Sequence, residues 1–109
     1  MTMEDILRNA HSAGHLACRD IKDKGACGFA WVTIPGNTAF ARWCRKRLDA
    51  NRTDYSRWYG RKGYPKGWTF WNPGHYAGQS IDAIEAGAVA FAEVLKGYGI
   101  DAKVGSRLD

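Results

Sequence analysis

The stretch that decides the fold runs from residue 26 to residue 34 and reads ACGFAWVTI. It is short, rich in aromatic and β-branched residues, and bounded by Gly25 on one side and Pro35-Gly36 on the other. Those features predict a β-strand, and because apolar residues occupy both of its faces, a central one. Working outward, Pro35-Gly36-Asn37 is turn chemistry, and Asn37 or Thr38 can cap a helix over 39–50. That helix places Phe40, Trp43, Cys44 and Leu48 at core spacing, with Arg42, Arg45, Lys46 and Asp49 largely on its other side. On the N-terminal side, residues 2–24 have helical periodicity: Met3, Ile6, Leu7, Ala10, Ala13, Gly14, Ala17 and Ile21 form one apolar stripe. Thr2 is the expected N-cap, Glu4 and Asp5 suit the first turn, and Gly25 is the expected stop.

Downstream, residues 67–71 (GWTFW) predict a second strand that Asn72-Pro73-Gly74 ends. Ser80 caps a helix over 81–96 whose buried face is Ile81, Ile84, Ala88, Phe91, Ala92 and Leu95. Its alanines and Gly87 imply close packing on a sheet. Residues 100–104 alternate cleanly and predict a third strand with one wet face. The expected fold is therefore of the α+β class: a single small domain over 1–109, in α-β-α-β-α-β order, with helices sandwiched on a sheet of about three strands. Residues 51–67 are long for a structureless loop, so they are either functional or hold an additional hairpin.

The chain has 109 residues, of which 45% are hydrophobic and 25% charged, which excludes a wholly disordered protein. No stretch approaches the roughly 20 consecutive apolar residues of a membrane span. The acidic start Met1-Thr2-Met3-Glu4-Asp5 is unlike a signal peptide, so a cytoplasmic location is expected. Cys18, Cys27 and Cys44 are three in number and widely spaced, which reads as reduced thiols rather than a disulfide framework. The net charge is +5, but it is unevenly placed. Between residues 42 and 66 there are nine basic residues and two acids, a local net of +7; the remainder is slightly acidic. An excess of this kind favours partners that carry phosphate.

The phrases Cys27-Gly28-Phe29-Ala30-Trp31-Val32 and Gly105-Ser106-Arg107-Leu108-Asp109 resemble those of a family of small tailed-bacteriophage proteins. The similarity extends to Gln79-Ser80, the Ala-rich helix and Gly99-Ile100-Asp101-Ala102, and it is loosest in the basic middle. That family has no assigned activity. The resemblance implies a phage or prophage origin, hence the host cytoplasm, and no catalytic or ligand residue comes with it.

The sharpest functional signal is the basic segment 42–66. Trp58, Tyr59 and Tyr64 are interleaved there with Arg52, Arg57, Arg61, Lys62 and Lys66, and Arg42, Arg45 and Lys46 precede them. Guanidinium forks bind phosphate and aromatic faces stack on bases, so these residues form the expected ligand-binding set. Alternatively, the aromatics anchor the segment into the core beneath a solvated basic surface. His75 joins the set if the loop 72–79, which leads into the last helix, folds beside the basic segment. His11, His15 and Cys18 share one side of the first helix, with Cys27 or His75 as a conceivable fourth zinc ligand, but paired ligand knuckles are missing and no metal is assigned. Nothing pairs a nucleophile with a base, so neither catalysis nor a cofactor is expected.

Two functions follow. The first is a non-enzymatic binder of nucleotide or nucleic-acid phosphate, for instance a sponge for a host-defence nucleotide. The alternative is a protein-protein inhibitor of a host defence nuclease complex, anti-CRISPR-like, anchored by Trp58, Tyr59 and Trp68. Either is compatible with a homo-oligomer, and neither requires a membrane. Replacing Arg57 and Arg61 together with Ala is expected to abolish ligand binding while leaving the far-ultraviolet circular dichroism and the thermal transition unchanged.

Overall fold

The computed structural model describes residues 1–22, 25–50, 55–63 and 66–109. Its elements run α1 (Met3–Arg19), β1 (Gly28–Ile34), α2 (Ala39–Ala50), α3 (Ser56–Tyr59), β2 (Arg61–Lys62), β3 (Trp68–Trp71), α4 (Ile81–Gly97) and β4 (Lys103–Leu108). The strands form one antiparallel sheet in the order β2-β3-β1-β4, so the 26–34 stretch does supply a central strand. The chain is a single α+β domain, and its radius of gyration of 13.2 Å is close to the ~13 Å typical of a compact chain of about 100 residues. None of its described helices is long and apolar enough to cross a membrane.

The structure departs from the sequence expectation in four places. The sheet has four strands rather than three, because Arg61 and Lys62 pair with Thr69 and Trp68 and form the hairpin that the 51–67 segment allowed. The one-turn helix α3 precedes that hairpin, which changes the element order. The last strand begins at Lys103 rather than residue 100, because the Ile100 N–H is taken by the Leu95 carbonyl (3.0 Å) in closing α4, and Ala102 is buried. Finally, α1 stops at Arg19: Cys18 is its last buried residue, and Ile21, expected in the apolar stripe, is 37% exposed. A helical turn that packs on nothing has little to hold it.

Local signals set the helix starts. Thr2 and Asp5 form a reciprocal capping box, with Thr2 Oγ1 accepting from the Asp5 N–H (3.1 Å) and Asp5 Oδ2 accepting from the Thr2 N–H (3.2 Å). Thr38 Oγ1 accepts from the Ala41 N–H (3.2 Å) at the start of α2, and Ser80 Oγ accepts from the Ala83 N–H (3.5 Å) at the start of α4.

Alternation along β1 divides the sheet into two unlike faces. Ala30, Val32 and Ile34, together with Trp68 and Phe70 of β3, pack against Leu7 and Ala10 of α1, Phe40 and Cys44 of α2, and Phe91 and Leu95 of α4. All three long helices therefore cover the same side. Burying each of these large side chains contributes about 1.5–3 kcal/mol. Phe29, Trp31 and Thr33 point to the opposite side, where none of the described helices lies. The doubly apolar strand is thus covered on one face only.

The helix layer closes on three glycines. A Cβ on Gly14 of α1 would stand 2.9 Å from the Gly87 carbonyl oxygen of α4 and 3.2 Å from Gly74 Cα. A Cβ on Gly74 would stand 2.9 Å from the Gly14 carbonyl oxygen and 3.0 Å from Gly87 Cα. Backbone therefore meets backbone where α1, α4 and the 72–75 loop cross, and no side chain fits between them. Gly87→Ala is expected to cost about 1–3 kcal/mol through overpacking, read as a lowered denaturation midpoint. An unchanged midpoint would contradict the tight crossing.

Candidate functional site

The uncovered face of the sheet is an aromatic surface framed by cations. Trp31 and Trp71 are register partners across β1 and β3, and their indoles are parallel to within 1° with centroids 5.5 Å apart. Phe29, two residues before Trp31, lies 5.6 Å from the Trp71 ring. On the other side of β1, Gly105 of β4 faces Trp31. A Cβ at Gly105 would collide with the Trp31 indole, so the missing side chain is what lets that ring lie over the strand. Trp71 is 39% exposed, which a core residue would not be.

Cations rim this surface. Arg107 pairs with Phe29 in the register and carries its guanidinium carbon 5.5 Å from the Phe29 ring centre. Arg61 of β2 faces Thr69, and Lys103 of β4 faces Thr33, so both edges of the sheet present positive charge. Between them the Thr33 and Thr69 hydroxyls stand 3.4 Å apart. Trp31, Trp71, Thr33, Thr69, Arg61 and Arg107, with Lys62 and Gly63, line an open cleft of about 460 Å³, and no described carboxylate is among its walls. Stacking faces, guanidinium groups and hydroxyls are the donor set that holds a base, its phosphate and its sugar.

The sheet splits the residue set expected from the sequence. Arg61 and Lys62 are on this cleft, and Arg57 is beside it, lining a hollow with Ser56, Arg61 and Trp71. Lys66 lies at the far end of the sheet, near Gly36 and Lys103. Arg42, Arg45 and Lys46 belong to α2 on the covered side and do not join the cleft: Arg45 stacks over the buried Trp68 ring at 5.3 Å, and Arg42 donates to the Asn37 carbonyl (2.6 Å). Trp58 and Tyr59 are anchors rather than ligand surfaces. Trp58 stacks on His11 at 4.0 Å, and Tyr59 is 7% exposed in the core. Arg52 and Tyr64 lie outside the described residues. Phe29, Trp31, Trp71, Lys103 and Arg107 are absent from the expected set. Their signal is the aromatic residue at every second position, Phe29 and Trp31 in one strand and Trp71 in the next, which puts the rings on a common face.

His75 is turned the other way, into α1. The His11 Nε2 lies 2.8 Å from the Trp58 carbonyl, which can only accept, so this nitrogen carries the proton. The bare His11 Nδ1 then accepts from His75 Nε2 (2.8 Å). His15 Nδ1 donates to the Gly74 carbonyl (3.3 Å), and the Cys18 thiol donates to the same oxygen (3.4 Å). The three side chains read as a conceivable zinc set are thus clasps on the 72–75 loop, and no three His, Cys, Asp or Glu converge on a metal-sized site among the described residues. Burial holds the His11 imidazole at about 4, with the neighbouring His75 pushing the same way. Burial, then the charge of Arg57, also lowers His75. Burial pushes the Cys44 thiol up to about 12, so the arginines around it in sequence do not make it a nucleophile.

A histidine depressed by folding binds its proton more readily in the unfolded chain, so its contribution is complete above the unfolded value of 6.5 and declines as pH falls toward 4. Between pH 7.5 and pH 5 the protein is expected to lose about 2 kcal/mol of unfolding free energy, read by urea titration, and pH-independent stability over that range would refute the buried neutral pair. Comparison of the chain with protein-family models, curated proteins and solved structures returns no match.

Proposed function

We propose that this protein is a non-enzymatic binder of nucleotides, holding bases and phosphates on the uncovered face of its sheet. The observation that supports it best is the parallel Trp31–Trp71 pair, which lines an open cleft with Trp71 exposed and Trp31 half-buried, flanked by Arg61 and Arg107. Aromatic side chains on a small domain normally serve the core, yet Phe29, Trp31 and Trp71 lie on the side that none of the described helices covers. Among the described residues no carboxylate is in ion-pair reach of Arg57, Arg61 or Arg107. Their charges are free to meet an anion.

The chemistry matches a nucleotide in each part. A base inserts against the indoles, its phosphate takes a guanidinium fork, and the hydroxyls of Thr33 and Thr69 meet sugar or base edges. In the phage setting that the sequence resemblance implies, such a protein would withdraw a defence nucleotide or cover nucleic acid in the host cytoplasm.

Trp71 is the discriminating position because it is half in solvent and its loss leaves the core intact. Trp71→Ala is expected to weaken nucleotide binding by roughly 5- to 150-fold, the equivalent of about 1–3 kcal/mol for one stacked base, with the melting temperature little changed. Isothermal titration with adenosine and thymidine monophosphates and short oligonucleotides reads the effect. Binding equal to that of the parent protein would remove the uncovered face from consideration.

A further inference from the structure

We infer that the nucleotide ligand is single-stranded nucleic acid lying along β1, in preference to a free mononucleotide or a duplex; the inference rests on the nucleotide-binding reading of the same face.

The first reason is length. The cleft over Trp31 and Trp71 does not end there. At one end it shares Arg61 and Trp71 with the hollow beside Arg57, which in turn shares Arg57 and Trp71 with a hollow reaching Tyr76 and Gln79. At the other end it shares Thr33 with a second cleft of about 600 Å³, bordered by Pro35, Lys66 and Lys103. The hollow reaching Tyr76 and Gln79 turns toward the helix layer, since Ala30 and Ile84 of the core also line it, so on the uncovered face the groove follows β1 from Trp31 to Pro35, about 13 Å at ~3.3 Å per residue. A strand that advances about 3.4 Å per stacked nucleotide, and more when stretched, lays several nucleotides along it.

The second reason is the distribution of charge. Arg57 stands at one end, Lys66 and Lys103 at the other, and Arg61 and Arg107 along the flanks. One phosphate group can occupy one of these positions. A row of phosphates occupies all of them. Asp101, beside Lys103, is the one carboxylate among the described residues that line the groove.

The third reason is the shape of the aromatic centre. Two parallel indoles on a sheet present stacking faces, and only unpaired bases can turn their own faces onto them. A duplex keeps its bases stacked on one another, with their faces turned away from the indoles. It would meet the cations alone.

The test is titration of the intact protein, by quenching of its tryptophan fluorescence, with thymidine monophosphate, a thymidine tetranucleotide, an octanucleotide and a short duplex. The expected result is affinity rising at least about tenfold from monophosphate to octanucleotide, with the duplex weaker than the octanucleotide. The double variant Lys66→Ala, Lys103→Ala, both positions being exposed, should weaken the octanucleotide several-fold more than it weakens the monophosphate. It should also flatten the salt dependence of octanucleotide binding by about 0.7 in logarithmic slope for each phosphate that the variant no longer neutralises. Equal affinity for monophosphate and octanucleotide, or tighter binding of the duplex, would overturn the single-strand inference and leave the nucleotide site standing. Absence of binding to all four probes would overturn both.

Discussion

The crossing of Gly14, Gly74 and Gly87 is the constraint on which the remaining geometry depends. Three backbones approach within van der Waals distance there, which is possible only because none of the three residues carries a Cβ. The helices α1 and α4 can then lie close together over the sheet, and the loop after β3 can lie in contact with both. Side chains of α1 complete the attachment: His15 and Cys18 bond to the Gly74 carbonyl, and His11 joins His75 to the Trp58 carbonyl. Asn72 and His75 hold positive φ values of 45° and 57° within this loop, a strained conformation that such surrounding contacts stabilise. Because Trp71 immediately precedes the loop, the same clasp sets one end of the aromatic surface.

From that loop the chain returns to β1. The Gly28 N–H bonds to the Gln79 carbonyl (3.0 Å), the Ile81 N–H to the Ala26 carbonyl (3.1 Å), and the Asp109 N–H to the Cys27 carbonyl (3.0 Å). The phrases around Cys27, Gln79-Ser80 and Asp109, far apart in sequence, are therefore one structural unit at the end of the sheet. This unit aligns Phe29 with Arg107 and Trp31 with Gly105, and those pairings build the uncovered face. Core and candidate site are alternate residues of the same strands. Substitution of a platform residue exchanges solvent contacts, while substitution of its immediate neighbour opens the core.

Charge follows a different logic. The +7 segment is contiguous in sequence but not in space, because α2 sits on the covered side and the β2–β3 hairpin reaches the other. Only Arg57, Arg61, Lys62 and Lys66 among the described residues of that segment reach the groove, and β4 contributes Lys103 and Arg107 from a part of the chain with no basic excess. The phosphate-binding character proposed for the groove is assembled from the middle of the chain and its last strand.

Short-range chemistry was enough to determine the elements themselves. The capping residues Thr2, Thr38 and Ser80, the turn at Pro35-Gly36, the β-branched and aromatic run of 26–34, and the apolar stripes of the helices all act through neighbours within a few residues. The α+β class and the central position of β1 follow from them. Three matters lay beyond that reach. The end of α1 depended on where α1 runs out of something to pack against, the start of β4 on a hydrogen bond that closes α4, and the roles of Trp58 and Tyr59 on rings that α1 and α2 bring to them. The site was the least legible part, for one physical reason. Alternation along a strand assigns residues to two faces but does not say which face the helices will cover, and here both faces of β1 are apolar. Tertiary packing decides it: α1, α2 and α4 all lie against the face that carries Val32, which makes Val32 core and Trp31 surface.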